Sequence, residues 1–250
     1  MAIKVCRADD QASREIENMR NIPEHANIVP LLDAFEQSIP PNVFIVMTVA
    51  KMNLREYLLN IKMKKDQFRL EPSSQTLNDF TQMLLLGVQH LHNGHPRIIH
   101  RDIKPENCLI YEENGKDVIK LADFGVAKMM ENSGPTYTDC GSRKFKAPEF
   151  LNPGAGYTEE VDLWSLGLVL YFLITGRVME TDESYQIRPE SFLIWNREKR
   201  IFKQSQQTSK VEEIVEKMIV QDPKQRITPQ EALQRLEMPG TINSQHSREQ

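Results

Sequence analysis

One short stretch constrains this chain more than any other. The sequence IIHRDIKPENCLI, residues 98–110, places a cluster of polar side chains between two runs of branched apolar residues. Such runs are typical of buried backbone, so the polar residues are predicted to lie on a loop that a hydrophobic core holds in place. Catalytic side chains are often found on loops of this kind. The cluster includes His100, Arg101, Asp102, Lys104 and Asn107.

Charge and hydropathy argue against two classes of partner. The formal net charge of the 250 residues is −4 at pH 7, so the chain lacks the positive excess that a DNA- or RNA-binding protein usually has. The most apolar run, residues 163–175, is shorter than the roughly 20 residues that a membrane-spanning helix needs. It is predicted to be a buried helix. We therefore expect neither a nucleic-acid partner nor a membrane partner.

The cysteines indicate the compartment. The sequence has three, Cys6, Cys108 and Cys140, and none belongs to a CxxC pair. An odd number of widely spaced cysteines favours neither a disulfide framework nor a zinc ribbon, and is typical of a reducing environment. We expect a cytoplasmic protein, with the nucleus as the open alternative.

The periodicity of apolar residues changes about fifty residues into the chain. Residues 1–6, 27–35 and 42–50 have the pattern of strands, and a helix with Ile16, Met19 and Ile22 on one face is expected to end before Pro23. From Leu54 onwards helical spacing dominates. The sequence therefore predicts a small α+β unit followed by a mostly helical one. The clearest helical face is formed by Leu77, Phe80, Leu84, Val88 and Leu91.

Further motifs follow the polar loop in a fixed order. They are ADFG at 122–125, APE at 147–149, DLWSLG at 162–167 and RIT with Arg226. Together with HRDIKPEN, they resemble the catalytic core of a eukaryotic-type protein kinase of the serine/threonine-specific type. The resemblance extends from Met1 to about Glu237.

This resemblance implies an α+β, two-lobed protein kinase-like fold. Residues 1–50 would form a truncated N-terminal lobe with the family's third strand, helix C, fourth and fifth strands and hinge. Residues 51–237 would form the mostly helical C-terminal lobe with the catalytic and activation segments, and residues 238–250 a loose tail. The family normally begins with two strands joined by a Gly-rich loop, and no GxGxxG occurs here. Because backbone N–H groups of that loop cover the phosphates, we expect weakened ATP binding.

The resemblance also assigns roles in transfer of the γ-phosphate of ATP to protein substrates. Asp102 would accept or orient the substrate hydroxyl, and Lys104 would contact the transferring phosphate. Asn107 and Asp123 would hold Mg²⁺ through hard oxygen ligands. A lysine two residues after the aspartate is typical of kinases that phosphorylate Ser and Thr.

Other positions match those that bind the nucleotide. Lys4 would hold the α- and β-phosphates, and Glu15, with Glu17 as the alternative, would orient Lys4. The adenine would lie among six residues: Met47 at the back of its pocket, Thr48, Val49 and Ala50 at the hinge, and Ala2 and Leu109 on the two faces of the ring.

Several residues are expected to support the site rather than catalyse. His100 is predicted to pack in an apolar column rather than act as a base. A buried ion pair is expected between Glu149 and Arg226, and Asp162 is expected to brace the catalytic loop. The members of the column are Met19, Leu31, His100 and Phe124.

Regulation is expected between the ADFG and APE motifs. Arg101 is predicted to be an unpaired cation beside Asp102 that needs a counter-charge. In the family a phosphate on this segment supplies it, and Thr138 lies where an upstream kinase would add that phosphate. Ser142 matches the hydroxyl that contacts the catalytic aspartate and lysine. The alternative is that residues 136–138 are simply polar loop residues.

Two other functions share part of this pattern. A pseudokinase-like module would keep the fold and bind partners without turnover, although it has no chemical reason to retain Asp102, Lys104, Asn107 and Asp123 together. A small-molecule phosphotransferase is not expected to carry APE and the segment before it. The basic sequence SRKFK, residues 142–146, favours acidic residues beside the target, or is a solvated charge run.

Overall fold

The first fifty residues fold into one antiparallel sheet and one helix. The computed structural model describes residues 1–63, 72–130, 140–151, 156–179 and 206–238. The sheet order is β1–β3–β2, so β3 is the central strand. Asp9 caps the helix by accepting hydrogen bonds from the backbone N–H groups of Gln11 and Ala12. The elements are β1 (Ala2–Arg7), α1 (Asp10–Asn21), β2 (Leu31–Ser38) and β3 (Pro41–Met47).

The predicted helix and strands of this unit are confirmed, with one difference in length. Ile16 and Met19 of α1 are buried, as the helical spacing predicts. β2 and β3 form a hairpin in which Ser38 pairs with Pro41. β2 thus begins and ends later than the predicted range 27–35, and β3 starts at a proline, which is tolerated at the first residue of a strand.

The rest of the chain is mostly helical. The long apolar run forms α4, which is buried on all sides from Val161 to Ile174, and the predicted apolar face of α3 is buried as well. Among the helices that the structure describes, none combines the length and the apolar character that crossing a membrane requires. The helices are α2 (Leu54–Met63), α3 (Ser74–Asn93), α4 (Glu160–Thr175), α5 (Gln206–Met218) and α6 (Pro229–Glu237).

Two small antiparallel sheets in this part were not predicted as paired strands. One has the order β4–β6–β7, and the other pairs β5 with β8. The polar loop 100–107 connects β5 to β6, and the ADFG motif connects β7 to β8. Both loops are therefore held at both ends by strand pairing. The strands are β4 (Met52–Asn53), β5 (Arg97–Ile99), β6 (Cys108–Glu113), β7 (Lys116–Leu121) and β8 (Lys128–Met130).

The predicted supporting contacts are present. The rings of His100 and Phe124 lie 5.0 Å apart between centroids, and both side chains are fully buried. Arg226 donates to both carboxylate oxygens of Glu149, at 2.5 and 2.7 Å. This ion pair joins the APE motif to the chain between α5 and α6.

Candidate active site

A buried carboxylate fixes the start of the catalytic loop. Asp162, in the first turn of α4, accepts hydrogen bonds from the backbone N–H groups of His100 and Arg101 and is bonded to the His92 ring, each at 2.8 Å. Burial by itself raises the pKa of Asp162, but the hydrogen bond with His92 and nearby positive charge outweigh burial and hold that pKa below its ordinary value. Asp162 is therefore an anion at neutral pH.

Three residues converge on Asp102. The ammonium of Lys104 donates to Asp102 Oδ2 at 2.6 Å and to the Ser142 hydroxyl at 2.8 Å. Ser142 N–H donates to Asp102 Oδ1 at 2.7 Å. The amide of Asn107 donates to the backbone oxygen and to Oδ2 of Asp102, at 2.8 and 3.1 Å. This carboxylate is thus held in one orientation by three other residues of the predicted site.

A second group of charges gathers around Lys4. Its ammonium lies 2.7 and 2.8 Å from the two carboxylate oxygens of Glu15 and 3.1 Å from Asp123 Oδ1. Glu17, the alternative partner, is exposed on α1, while the Glu15 side chain is only 4% exposed. The structure therefore brings together Lys4, Glu15 and Asp123.

The pKa of Lys4 is shifted in the direction that favours its charged form. Burial lowers the pKa of Lys4, but the hydrogen bond to Glu15 and the charge of Asp123 outweigh burial and raise it. Burial also raises the pKa of Asp123, and the adjacent Lys4 ammonium more than compensates and lowers it. Glu15 is buried most deeply, and burial raises its pKa despite the hydrogen bond from Lys4. The raised pKa of Lys4 and the lowered pKa of Asp123 thus both favour the ion pair between these two side chains.

The predicted adenine-binding residues are neighbours in space. Ala2 pairs with Met47 across β1 and β3, and Met47, Ala50 and Leu109 pack against the same small apolar cluster. Val49 is 59% exposed, and its backbone forms no hydrogen bond with the described residues. Its N–H and C=O groups are therefore available to the edge of a planar ligand.

Thr48, next to this exposed peptide, has two polar groups in different environments. Its backbone oxygen accepts a hydrogen bond from Tyr111 at 3.3 Å. Its hydroxyl is buried and has no hydrogen-bond partner in the described part of the chain. A buried hydroxyl without a partner is costly, and such groups are often found where a ligand binds.

Arg101 has hydrogen-bond partners, but no carboxylate pairs with it among the described residues, so its need for a counter-charge stays a prediction. Its guanidinium donates to the backbone oxygens of Val126 and Ala127, at 2.6 and 3.5 Å, and to the Tyr157 hydroxyl at 3.3 Å. The sequence could not reveal this, because carbonyl acceptors are present in every residue. The candidate phosphorylation site Thr138 lies outside the described residues.

Two residues that sequence reasoning missed support the site. Gly141 has a φ of +85°, and a Cβ atom there would lie 2.2 Å from the Arg101 oxygen. A glycine directly before Ser142 was a usable signal, because glycine is favoured where two segments of backbone meet closely. Asn18 of α1 is buried and donates to the backbone oxygens of Phe124 and Ala127. Nothing in the sequence distinguished it from a surface asparagine.

Asn107 and Asp123 offer oxygen ligands of the kind that Mg²⁺ prefers. The amide nitrogen of Asn107 is engaged with Asp102, so its amide oxygen is not used by those bonds. The Asp123 side chain is 39% exposed, which leaves its carboxylate accessible beside Lys4. A carboxylate oxygen beside Lys4 and an amide oxygen on a segment that is hydrogen-bonded to Ala122 are ligand types that suit a magnesium ion carrying phosphate groups.

This α+β fold, with three residues gathered around Asp102 and with Lys4 between Glu15 and Asp123, is typical of a phosphotransferase of the protein kinase type. The chain belongs to the protein kinase domain family, whose model matches residues 1–236. Members of this family use ATP and Mg²⁺.

The relatives that the chain resembles are serine/threonine-type kinases. SNF1-like protein kinase ssp2 of Schizosaccharomyces pombe is 31% identical over 222 residues, which cover 88% of this chain and 35% of that protein. Calcium/calmodulin-dependent protein kinase type IV of Mus musculus is 33% identical over 217 residues, 84% of this chain and 42% of that protein. Serine/threonine-protein kinase DCLK1 of Rattus norvegicus is 33% identical over 173 residues, which cover 68% of this chain and 36% of that protein. The chain therefore spans only about two fifths of the length of these relatives.

Proposed function

We propose that this chain catalyses transfer of the γ-phosphate of ATP to serine or threonine hydroxyls of proteins. The observation that carries this proposal is the convergence of Lys104, Asn107 and Ser142 on the carboxylate of Asp102. Asp102 orients the acceptor hydroxyl and takes its proton as the oxygen attacks phosphorus. Lys104, 2.6 Å from Asp102, provides positive charge for the phosphoryl oxygens in flight.

The remaining residues hold the nucleotide. Bound ATP supplies the phosphoryl group, and Mg²⁺ neutralises its charge. Asp123 and Asn107 would provide the oxygen ligands for the metal, and Lys4, oriented by Glu15, would contact the α- and β-phosphates. The exposed peptide of Val49 would bind the adenine edge, with Ala2 and Leu109 on the two faces of the ring.

The proposal extends to the organisation of the chain. Residues 1–50 and 51–237 act as two lobes on either side of the nucleotide, while the predicted tail lies, after Met238, outside the described residues. The kinase works in the cytoplasm or the nucleus, which is supported by the three free cysteines. An upstream kinase activates it by placing a phosphate on Thr138. That phosphate would compete with the carbonyl acceptors for the Arg101 guanidinium.

A binding module without turnover is the weaker alternative. Such a module gains nothing from a carboxylate oriented by three further residues of the predicted site, or from a lysine shared between Glu15 and Asp123.

Phosphotransfer assays test the proposal directly. Purified chain is incubated with millimolar ATP, Mg²⁺ and a mixture of Ser-, Thr- and Tyr-containing peptides, and the products are identified by mass spectrometry. We expect phosphoserine and phosphothreonine, and no product when the metal is chelated. Absence of any metal-dependent product, with ATP shown to be bound, would refute the proposed activity.

A further inference from the structure

One side chain of α1 clamps the loop that carries Asp123. The amide nitrogen of Asn18 donates to the backbone oxygen of Phe124 at 2.9 Å and to that of Ala127 at 3.1 Å. These two residues are also bonded to each other, because the Ala127 N–H donates to the Phe124 oxygen at 3.1 Å. The chain after Asp123 therefore makes a tight turn, Phe124–Ala127, and Asn18 is bonded to both ends of it.

The contact requires an amide. Asn18 is only 4% exposed, and backbone oxygens in such surroundings need hydrogen-bond donors. The amide nitrogen of asparagine carries two hydrogens, which matches the two oxygens that it contacts. An aspartate has the same shape but would bring negative charge to both oxygens, and a leucine would donate to neither.

The side of α1 that carries Asn18 also carries Glu15. Residues three positions apart are neighbours on a helix surface, and a Cβ atom at Gly125 would lie 3.2 Å from Glu15 Oε2. This side of α1 therefore faces the turn. Glu15 is bonded to Lys4, and Lys4 to Asp123. Asp123 is thus linked to α1 from two directions, through Lys4 and through the turn that follows it.

The backbone of Asp123 needs this support. Its φ is +68°, in the left-handed region that residues other than glycine adopt at a cost and keep only where the surrounding structure holds them. The ion pair with Lys4 is partly exposed, since the Asp123 side chain is 39% and the Lys4 side chain 34% exposed. Such pairs contribute little by themselves. The two hydrogen bonds from Asn18 are buried, so they contribute the larger share.

We propose that Asn18 is a positioning residue for Asp123, the proposed metal ligand, because it clamps the turn Phe124–Ala127 to α1 and so keeps this carboxylate beside Lys4. The inference rests on the proposed function and adds a residue that touches neither the metal nor the nucleotide. Each hydrogen bond between neutral groups changes an equilibrium by about two- to tenfold. Since only the clamped conformation offers its carboxylate to the metal, losing both bonds is expected to weaken binding of ATP with Mg²⁺ by about fivefold or more.

Nucleotide binding with and without metal tests this role. A fluorescent ATP analogue is titrated into the wild type, Asn18→Leu and Asn21→Leu, once with Mg²⁺ and once with a chelator. Asn21 is the matched control, because it lies on the same helix and its amide donates to the Glu17 oxygen within α1 at 2.8 Å. We expect Asn18→Leu to lose about fivefold or more in affinity with Mg²⁺ and to match the wild type in chelator.

The comparison separates positioning from a merely structural role. A general loss of stability would weaken both titrations alike, whereas Asp123 acts through the metal. Asn21→Leu should match the wild type in both titrations. Asn18→Asp, which keeps the shape of the side chain, is the second variant if Asn18→Leu does not fold, and the same loss is expected from it.

Hydrogen exchange tests the clamp without any ligand. The backbone N–H of Ala127 is bonded to Phe124, so it exchanges with solvent when the turn opens. We expect the segment 122–128 to exchange about fivefold faster or more in Asn18→Leu than in the wild type, and to be unchanged in Asn21→Leu. Exchange is followed by mass spectrometry on the full chain.

The outcomes distinguish this inference from the proposed activity. Faster exchange together with a loss of affinity confined to Mg²⁺ supports the role of Asn18, even if no phosphotransfer is seen and the proposed activity fails. Equal exchange in the wild type and Asn18→Leu, or equal losses with and without metal, would overturn it while leaving any measured phosphotransfer intact. A wild type whose nucleotide affinity does not respond to Mg²⁺ would overturn it as well.

Discussion

At the scale of single residues, the site depends on carboxylates whose surroundings give them different tasks. Asp162 has no exposed surface and accepts three hydrogen bonds, so it can only hold the loop. Asp102 is 10% exposed and faces Lys104 and Ser142. Asp123 is 39% exposed beside Lys4. The exposure of these carboxylates thus increases from the one that supports the loop to the two that we propose contact the reactants.

Replacing Asp102 by asparagine should separate catalysis from stability. Asp102→Asn removes the base and its charge but keeps the shape of the side chain, so we expect phosphotransfer to fall by about 10² to 10⁴. The melting temperature should change little, because the backbone contacts of the loop with Asp162 remain. Steady-state kinetics and thermal unfolding measure the two effects. A variant with normal turnover would exclude Asp102 from the reaction.

Asp123→Asn should weaken the effect of magnesium on nucleotide binding. An amide oxygen lacks the charge that a divalent cation prefers, while Lys4 keeps its contact with Glu15. We expect ATP with Mg²⁺ to raise the melting temperature of the wild type more than ATP with a chelator does. In the variant, the melting temperatures with Mg²⁺ and with the chelator should be nearly the same. Equal stabilisation of both proteins by Mg²⁺ and ATP would show that Asp123 is not a metal ligand.

The depressed pKa of Asp162 predicts a loss of stability in acid. The folded-state pKa lies below the unfolded one, so this carboxylate contributes stability that is complete above the unfolded pKa, near 3.9. That contribution is lost as the pH falls below about 4 and through the folded pKa. Urea unfolding at a series of pH values measures it. Asp162→Asn should be less stable at pH 7 and lose less stability on acidification. Parallel plots of unfolding free energy against pH for the wild type and Asp162→Asn would contradict this.

At the scale of elements, long amphipathic helices were predictable and short strands were not. The apolar face of α3 recurs over about four turns, and its members are buried. β5 and β8 have three residues each, which is too few for a periodic pattern. Their pairing brings together residues about thirty positions apart, and no local signal specifies that partner. The sequence therefore located the polar loop but not the strands that anchor it.

Gly141 is expected to be essential to the contact between Ser142 and the catalytic loop. In Gly141→Ala the new methyl group would meet the Arg101 oxygen at 2.2 Å, so the backbone before Ser142 must shift and Asp102 loses its bond from Ser142. We expect a large fall in kcat. Gly115 is the matched control, because its φ is also positive, at +75°, and a Cβ there meets nothing within 4 Å.

Gly115→Ala should show only the cost of the left-handed backbone, about 1 kcal/mol in unfolding free energy, with normal turnover. Similar turnover losses in the two variants would indicate that the close approach at Gly141 has no special role.

At the scale of the whole molecule, one ion pair ties distant segments of the helical part together. Arg226 has no exposed side-chain surface and donates to Glu149 and to the backbone oxygens of Val220 and Glu160. Arg226→Met should reduce the unfolding free energy by about 3 to 5 kcal/mol, because it leaves a largely buried carboxylate without its partner. Urea denaturation provides the measurement.

The double variant Glu149→Leu with Arg226→Met should recover part of this loss, since no unpaired charge remains. The backbone oxygens of Val220 and Glu160 would still lack their donor, so recovery is incomplete. A double variant less stable than Arg226→Met would show that the carboxylate is not what makes the single change costly.

The order of motifs predicted the family, while the spatial arrangement had to come from the structure. Lys4 and Asp123 are 119 positions apart, and their separation in space depends on how α1 packs against the segment after Phe124. Arg101 shows what motifs leave out, because its guanidinium donates hydrogen bonds to the backbone oxygens of Val126 and Ala127. Motifs identify side chains, and they say nothing about which carbonyl groups will lie nearby.

The strand pairs β5–β8 and β6–β7 have a consequence for folding order. Ile99 pairs with Lys128 and Cys108 with Leu121, so the two pairs are nested, and residues 100–107 and 122–127 form an interior loop of one long hairpin. The inner pair closes through a tight local turn between Glu113 and Lys116, and contacts of short sequence separation form fastest. The outer pair then encloses both loops at once. The carboxylate that orients the hydroxyl and the carboxylate beside Lys4 therefore reach their places in the same step.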